Sequence, residues 1–169
     1  HVAGAALIAL PKEDGDIRPI AVGEVLRRVT SKCLCASVKE EMRGKLWPLQ
    51  VGVASPLGGE TVIHVMQQYM ERHILSQQKL VLTIDFANAF NSVDRASFLA
   101  ACVTHTPGLA RWVRWCYGGA SNLVFHDVVV ASSAGVQQGD ALGPLLFSLA
   151  LHPVLERLRA VPGLDIVVG

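Results

Sequence analysis

One stretch of the sequence decides the fold: residues 81–94 read VLTIDFANAFNSVD. It opens with an almost wholly apolar and β-branched run, which is typical of a strand buried on both faces. The run ends at Asp85, the only acid between Glu71 and Asp94. Taken alone, an aspartate after a strand is more often a cap or turn residue than a metal ligand. A buried strand nevertheless delivers its last side chain to a sheet edge, where sheets keep their ligand sites. We therefore predict a strand over Lys79–Asp85 with a carboxylate at its end, in the position of a candidate ligand site.

A second stretch, residues 135–147, reads GVQQGDALGPLLF. Here a polar loop leads into the start of a helix, with small residues at Gly139 and Gly143. Small residues let a flat partner lie close to the backbone. The structural alternative is an ordinary capped helix, with Asp140 as N-cap and Pro144 in the first turn.

Two extended segments around Asp14-Gly15 predict a hairpin with a charged tip, formed by Ala5–Leu10 and Ile17–Val22. The segment Glu24–Met42 is predicted to be helical and to end at Gly44. The evidence is a set of apolar residues that recur at helical spacing: Val25, Val29, Cys33 or Leu34, and Val38.

The remaining patterns alternate between helical and extended segments, with no linker and no internal repeat. Helices are predicted over Gly58–Ile74, Asp94–His105, Leu109–Tyr117 and Leu142–Arg159, a hairpin over Leu123–Ala131, and a strand over Leu164–Val168.

The composition fits one folded domain. Of the 169 residues, 51% are hydrophobic and 17% are charged, which excludes a disordered chain. The net charge of +1 carries no overall signature of nucleic-acid binding, although eight of the fifteen basic residues lie in the first 45 positions. The longest apolar stretch is too short for a bilayer, so we expect no membrane association. Four cysteines are too few for a disulfide framework, and they predict reduced, buried thiols in an intracellular protein.

The two quoted stretches, in this order, resemble the reverse transcriptase family. Residues 81–94 resemble the palm motif with the first catalytic aspartate, and residues 135–147 resemble the motif with the signature Gln-Gly. Residues 7–20 look like the fingers hairpin of that family. Residues 51–60 look like a loop and helix of reverse transcriptases from non-LTR retrotransposons. The likeness runs from about Ala5 to Gly169.

The resemblance implies an α+β fold of polymerase fingers and palm, with an antiparallel palm sheet and packed helices. The chain would be a partial reverse transcriptase domain over residues 1–169, with fingers over about 5–48 and fingers and palm over about 49–169. The strand Lys79–Asp85 is expected to pair antiparallel with Leu164–Val168.

The resemblance also assigns the catalytic site. Asp85 would bind two Mg²⁺ ions, with Mn²⁺ as the alternative ion, and the carbonyl of Phe86 would assist one of them. Phe90 matches the aromatic steric gate that crowds a ribose 2′-OH, and its alternative is a core phenylalanine.

The same likeness assigns the residues around the nucleotide. Gln138 would touch the nucleotide, and Gly139 would allow close approach of the template–primer pair. Lys12 and Arg18 match residues that hold the triphosphate. Lys32 is either a third cation or a solvated helix lysine.

One family motif is absent from the sequence, namely an aromatic residue, a variable one and then Asp-Asp. We therefore expect a chain truncated before the last palm motif and the thumb, and inactive alone. The implied partners are an RNA template, a DNA primer, deoxynucleoside triphosphates and the remainder of a parent polymerase, in an intracellular, nuclear setting. Exposed sheet edges and apolar faces predict self-association.

Two other classes of function stay open at this stage. The first is a non-catalytic, polymerase-derived module that binds nucleic acid or protein. The second is a plain α/β domain without a site. Group II intron maturases and telomerases share the implied fold and remain candidate relatives.

Overall fold

A computed structural model describes residues 3–13, 15–164 and 166 of the chain. The elements follow in the order β1 (Ala5–Pro11), β2 (Ile17–Gly23), α1 (Val25–Ser37), α2 (Lys39–Leu46), α3 (Gly58–His73), α4 (Ala89–Ser92), α5 (Arg95–His105), α6 (Pro107–Tyr117), β3 (Ser121–Phe125), β4 (Val128–Ser132) and α7 (Gly143–Arg159). None of the described helices is both long enough and apolar enough to cross a membrane.

The described residues fall into two compact units. The first is drawn from residues 1–39 and 88–151, and the second from residues 40–87 and 152–169. The first unit holds the sheet, and the second holds α3 with most of α2.

The sheet of the first unit has four strands in the order β2-β1-β3-β4. Strands β1 and β2 are antiparallel, and Ala5 lies opposite Gly23. Strands β1 and β3 are parallel over a short register that joins Ala5 to Leu123. Strands β3 and β4 form a second antiparallel hairpin. Both predicted hairpins are confirmed, and the chain has the mixed helix and sheet content expected of an α+β fold.

Helices α5 and α6 supply much of the buried apolar surface of the first unit. Asp94 begins α5, because its Oδ2 accepts hydrogen bonds from the Ser97 backbone N–H at 2.7 Å and from the Ser97 hydroxyl at 2.8 Å. The rings of Phe98 and Tyr117 meet edge to face with centroids 5.5 Å apart. The predicted helices in this region are confirmed to within two residues.

The second unit buries Met42, Leu46, Leu49 and Val51. Gly44 lies inside α2 and does not end a helix, so that prediction is wrong. A glycine inside a helix costs only about 1 kcal/mol relative to alanine, which the burial of two α2 side chains outweighs.

The predicted strand Lys79–Asp85 is not formed. The segment makes no strand pairing among the described residues, and its side chains are exposed, with Leu80 at 78%. β-propensity needs a partner strand to become a sheet, and no described strand pairs with this segment. Its expected partner, Leu164–Val168, lies largely outside the described residues, and neither Leu164 nor Ile166 belongs to a strand.

Helix α1 turns inward a face that its apolar residues do not mark. Val25, Val29 and Cys33 are exposed, whereas Arg27 and Ser31 are buried. Leu34 and Val38 are half-buried. The expectation that every thiol is buried is therefore wrong for Cys33. The physical reason is the ion pair of Arg27, described below, which makes the burial of its charge tolerable.

Candidate functional site

The Gln-Gly turn lies against strand β2 in the first unit. The Ala21 backbone N–H donates to the Gln138 carbonyl oxygen at 2.7 Å. Gly139 has a φ of +115°, and a Cβ there would stand 2.6 Å from the Ala21 carbonyl oxygen. Both facts exclude a larger residue at position 139. The glycine predicted for contact with nucleic acid is thus also required by the backbone of β2.

The side chain of Gln138 carries a hydrogen-bond acceptor without a partner among the described residues. Its Oε1 is buried and has no hydrogen-bond partner among the described residues, although the residue as a whole is only half-buried. An unpaired buried acceptor is costly, because it has lost water without gaining a donor. Gln138 therefore carries an amide oxygen that a ligand donor would satisfy.

Gln137, the other glutamine of the pair, forms hydrogen bonds within the fold through its side chain and its backbone. Its Nε2 donates to the Ser121 hydroxyl at 3.1 Å, and its backbone N–H donates to the Tyr117 hydroxyl at 3.3 Å. The side chain is buried. Of the two adjacent glutamines, Gln138 is the one whose side-chain oxygen has no partner among the described residues.

Asp140 is the centre of a buried polar network. Its Oδ2 accepts from Arg27 Nη2 at 2.8 Å and from the Tyr117 hydroxyl at 2.7 Å. Its Oδ1 accepts from the Leu142 backbone N–H at 3.0 Å. Helix α7 begins at Gly143, which puts its N-cap position at Leu142, so the alternative of Asp140 as N-cap is wrong. The side chain of Asp140 instead binds Arg27 and Tyr117. Pro144 does lie in the first turn of α7, as predicted.

Two guanidinium groups lie over the ring of Tyr117. Those of Arg27 and Arg95 stand 5.2 Å and 5.3 Å from its ring centroid. Burial, and then the Asp140 carboxylate, raise the pKa of Tyr117 far above its ordinary value, so its hydroxyl stays a donor. Burial opposes the charge of Arg27, but Tyr117 and Asp140 outweigh it and raise the pKa of Arg27.

Arg95 fixes the loop that precedes the turn. Its guanidinium donates to the carbonyl oxygens of Gly135 at 2.9 Å, Gly119 at 3.0 Å and Ala134 at 3.2 Å, and to the Ser132 hydroxyl at 2.9 Å. The sequence-based reasoning missed Arg27, Tyr117 and Arg95, because their partners lie far away along the chain. The one local signal is that Arg27 lies four residues before Ser31, so that these two polar side chains share one face of α1.

Phe90 lies where the two quoted stretches meet. It is half-buried on α4, and its ring lies 5.4 Å from that of Phe147. The Phe90 carbonyl accepts from the Val136 N–H at 2.7 Å, and the Val93 carbonyl accepts from the Gly135 N–H at 3.1 Å. The structure thus brings Phe90 to the loop that carries Gln138, while the packing on Phe147 also fits the alternative of a core residue.

The predicted triphosphate ligands lie on the β1–β2 hairpin. Lys12 Nζ lies 3.4 Å from Asp16 Oδ2 near the hairpin tip. Arg18 is exposed on β2, three residues before Ala21, which places it roughly 10 Å along the strand from the Gln138 contact. Lys12 and Arg18 therefore belong to the same hairpin as Ala21, which binds the Gln138–Gly139 turn. Lys32 is exposed on α1.

Asp85 and Phe86 lie in the second unit and are exposed. No three His, Cys, Asp or Glu side chains gather into a metal-binding group within the described chain. One carboxylate and one carbonyl do not hold two divalent ions against their hydration and mutual repulsion. The described residues therefore do not fit a two-ion site on their own.

Comparison with known proteins identifies the family. Residues 10–168 match the family model described as reverse transcriptase (RNA-dependent DNA polymerase). The chain is 28% identical over 162 residues to the retrotransposable element SLACS 132 kDa protein of Trypanosoma brucei gambiense, covering 91% of this chain and 13% of that protein.

Two further relatives are polyproteins of insect elements. The chain is 26% identical to the retrovirus-related Pol polyprotein from the type-2 retrotransposable element R2DM of Drosophila melanogaster, covering 90% of this chain and 15% of that protein. It is 25% identical to the Pol polyprotein from the type-1 retrotransposable element R2 of Popillia japonica, covering 95% of this chain and 24% of that protein. The chain spans less than a quarter of the length of these relatives. With the family model matched over almost its whole length, the chain belongs to the reverse transcriptase family, in its non-LTR retrotransposon branch.

Proposed function

We propose that the chain forms fingers and part of the palm of an RNA-directed DNA polymerase, and that its Gln138–Gly139 turn receives the incoming deoxynucleoside triphosphate. The observation that carries the proposal is the unpartnered, buried Oε1 of Gln138 on a turn bonded to the strand that carries Arg18. A polar acceptor on the turn and a cation on the adjoining strand match the two ends of a nucleotide. The family match supports the class of reaction.

Each residue has a separate task in this proposal. Lys12 and Arg18 hold the triphosphate, and the planar guanidinium of Arg18 pairs with two phosphate oxygens. Gln138 orients the nucleotide through a hydrogen bond, and the Phe90 ring excludes a ribose 2′-OH. Gly139 lets the base pair approach the backbone.

Reverse transcriptases use divalent metal ions, and Asp85 is proposed as one hard-oxygen ligand, with the Phe86 carbonyl as a second donor. Further carboxylates, such as the family's Asp-Asp pair, are needed to complete that site. The 169 residues contain no aromatic-x-Asp-Asp sequence. We therefore propose that this polypeptide alone adds no nucleotides.

The proposed partners are an RNA template, a DNA primer, deoxynucleoside triphosphates and the rest of a parent polymerase, in the nucleus. Backbone phosphate contacts carry most of the affinity for template–primer, and they do not depend on Asp85.

The test of Asp85 uses a protein that joins this segment to the aromatic-x-Asp-Asp motif and the thumb. Asp85→Asn keeps the shape of the side chain and removes its charge. Primer extension should fall below detection, while the Kd for template–primer stays within about twofold of wild type. Asp127→Asn, on the exposed turn between β3 and β4, is the matched control and should extend primers normally. Wild-type extension by Asp85→Asn would overturn the assignment. Intact binding without extension in the wild-type protein would favour the non-catalytic module.

The test of Phe90 uses the same protein. Phe90→Ala should keep DNA synthesis and raise ribonucleotide incorporation by about tenfold or more, because it removes only a steric wall. Phe125→Ala, at a half-buried phenylalanine on β3, is the control and should leave the preference for deoxynucleotides unchanged. If both variants discriminate as wild type does, Phe90 is a core residue.

A further inference from the structure

We propose that Arg27, Tyr117 and Asp140 are positioning residues that set the nucleotide affinity of the Gln138–Gly139 turn. The inference rests on the proposed function of that turn. In this proposal none of the three side chains contacts the nucleotide.

The network fixes the turn on both sides of its two central residues. On one side, the Tyr117 hydroxyl accepts from the Gln137 N–H. On the other, Asp140 is held by Arg27 and by the same hydroxyl. Between them, the Ala21 N–H binds the Gln138 carbonyl. The backbone around Gln138 is therefore held at three points, whereas its amide oxygen is left without a partner.

The network is also anchored away from the turn. Arg27 Nη1 donates to the Ala3 carbonyl at 2.6 Å, so the guanidinium is held by the backbone ahead of β1 as well as by Asp140. Both ends of the ion pair are buried. A buried ion pair is weak evidence for stability, since apolar residues of similar volume often serve a core as well or better. Hydrogen bonds to atoms of the turn are directional, so they fix the orientation of the turn. Apolar packing would not fix that orientation.

The experiment measures single-turnover addition of one deoxynucleotide by the protein that carries the Asp-Asp motif and the thumb. This assay separates the apparent Kd for the nucleotide from the amplitude, which reports the fraction of folded, active protein. Tyr117→Phe removes one oxygen and keeps the ring that contacts the two guanidinium groups. Its apparent nucleotide Kd should rise by about threefold or more, while the template–primer Kd stays unchanged.

Variants of the ion pair extend the test. Arg27→Met and Asp140→Asn should raise the nucleotide Kd by about tenfold, and Arg27→Lys should restore part of the loss, because it keeps the charge near Asp140. Arg28→Met is the matched control, since Arg28 is the next residue of α1 and is exposed. It should leave the nucleotide Kd as in wild type.

Gln138→Ala separates the two proposals. If it leaves the nucleotide Kd unchanged, the proposed function of the turn fails, whatever the network variants do. If it raises the Kd while Tyr117→Phe lowers only the amplitude or changes nothing, the turn keeps its function and the positioning role is overturned. Because Tyr117→Phe is the smallest change, it decides the question even if Arg27→Met does not fold.

Discussion

Arg27 and Asp140 form a 2.8 Å ion pair across 113 residues of sequence. Their side chains are only 2% and 3% exposed. This contact ties α1 to the loop before α7, and it explains why a charged residue occupies the inner face of α1. Each partner makes the burial of the other tolerable, so removing one of them leaves a buried charge without compensation.

Asp140→Ala is therefore expected to lower the free energy of unfolding by about 3–5 kcal/mol. Urea denaturation followed by circular dichroism measures the change. Glu71→Ala, at an exposed position on α3, is the control and should stay within about 0.5 kcal/mol of wild type. The double variant Arg27→Met/Asp140→Leu should recover most of the loss, since it removes both charges. A loss below about 1 kcal/mol for Asp140→Ala would contradict the buried pair.

The start of α3 offers a matched pair of glycines. A Cβ at Gly58 would collide with the Val51 carbonyl, whereas a Cβ at Gly59 meets nothing within 4 Å. Gly58→Ala should cost about 3 kcal/mol through overpacking against backbone. Gly59→Ala should gain about 0.5–1 kcal/mol, because alanine loses less entropy in a helix. Thermal or urea unfolding of the two variants checks the contrast, and equal effects would be incompatible with this close approach.

Asp94 at the start of α5 should make stability depend on pH in the acid range. Hydrogen bonds from Ser97 lower the pKa of Asp94. A carboxyl whose pKa is lower in the folded chain stabilises it above the unfolded pKa of about 3.9, and that contribution is lost as the pH falls through the lowered folded pKa. Asp94→Asn keeps an acceptor for the Ser97 N–H but cannot titrate. Unfolding at a series of pH values between 2 and 5 should show a shallower slope for Asp94→Asn than for wild type, and identical slopes would rule out this contribution.

The four thiols should differ in reactivity. Cys33 is exposed, whereas Cys102 and Cys116 are buried and Cys35 is half-buried. Burial raises the pKa of Cys35 and of Cys116 to about 11. At pH 8 a thiol with that pKa is ionised to only about one part in a thousand, and the thiolate is the nucleophile.

Iodoacetamide should therefore modify Cys33 first in the native protein, and mass spectrometry of peptides identifies the site. Cys33→Ser should abolish the fast phase. Rapid modification of Cys35 or Cys116 in the folded protein would contradict their burial.

Local patterns were sufficient for the hairpins and for most helices. Alternating and β-branched segments around a turn predict the pairing of β1 with β2 and of β3 with β4, because both partners lie within a few residues of each other. The helix start at Asp94 follows from an acceptor side chain placed before a helical pattern. These predictions need no information from distant parts of the chain.

Distant partners explain what could not be predicted. The inner face of α1 is set by Arg27, whose acceptor lies beyond every helix and strand up to β4. An apolar pattern alone selects Val25 and Val29, which the structure leaves exposed. In the same way, the apolar run before Asp85 indicates strand propensity but not a partner strand. The role of Asp85 and Phe86 in a metal site stays a prediction.

The hydrogen bond between Ala21 and Gln138 determines at which edge the four-stranded sheet can add a further strand. In an antiparallel pair, an N–H that does not bond to the neighbouring strand points outward, so Gln138 covers the outer edge of β2 at that point. The opposite edge is β4, with exposed and uncharged Val128, Val129 and Val130. Strands without charge at an open edge readily accept another strand. One edge of the sheet is thus covered at Ala21 and the other is open, so any association between copies of this chain through strand addition should proceed from β4 and leave the β2 edge free.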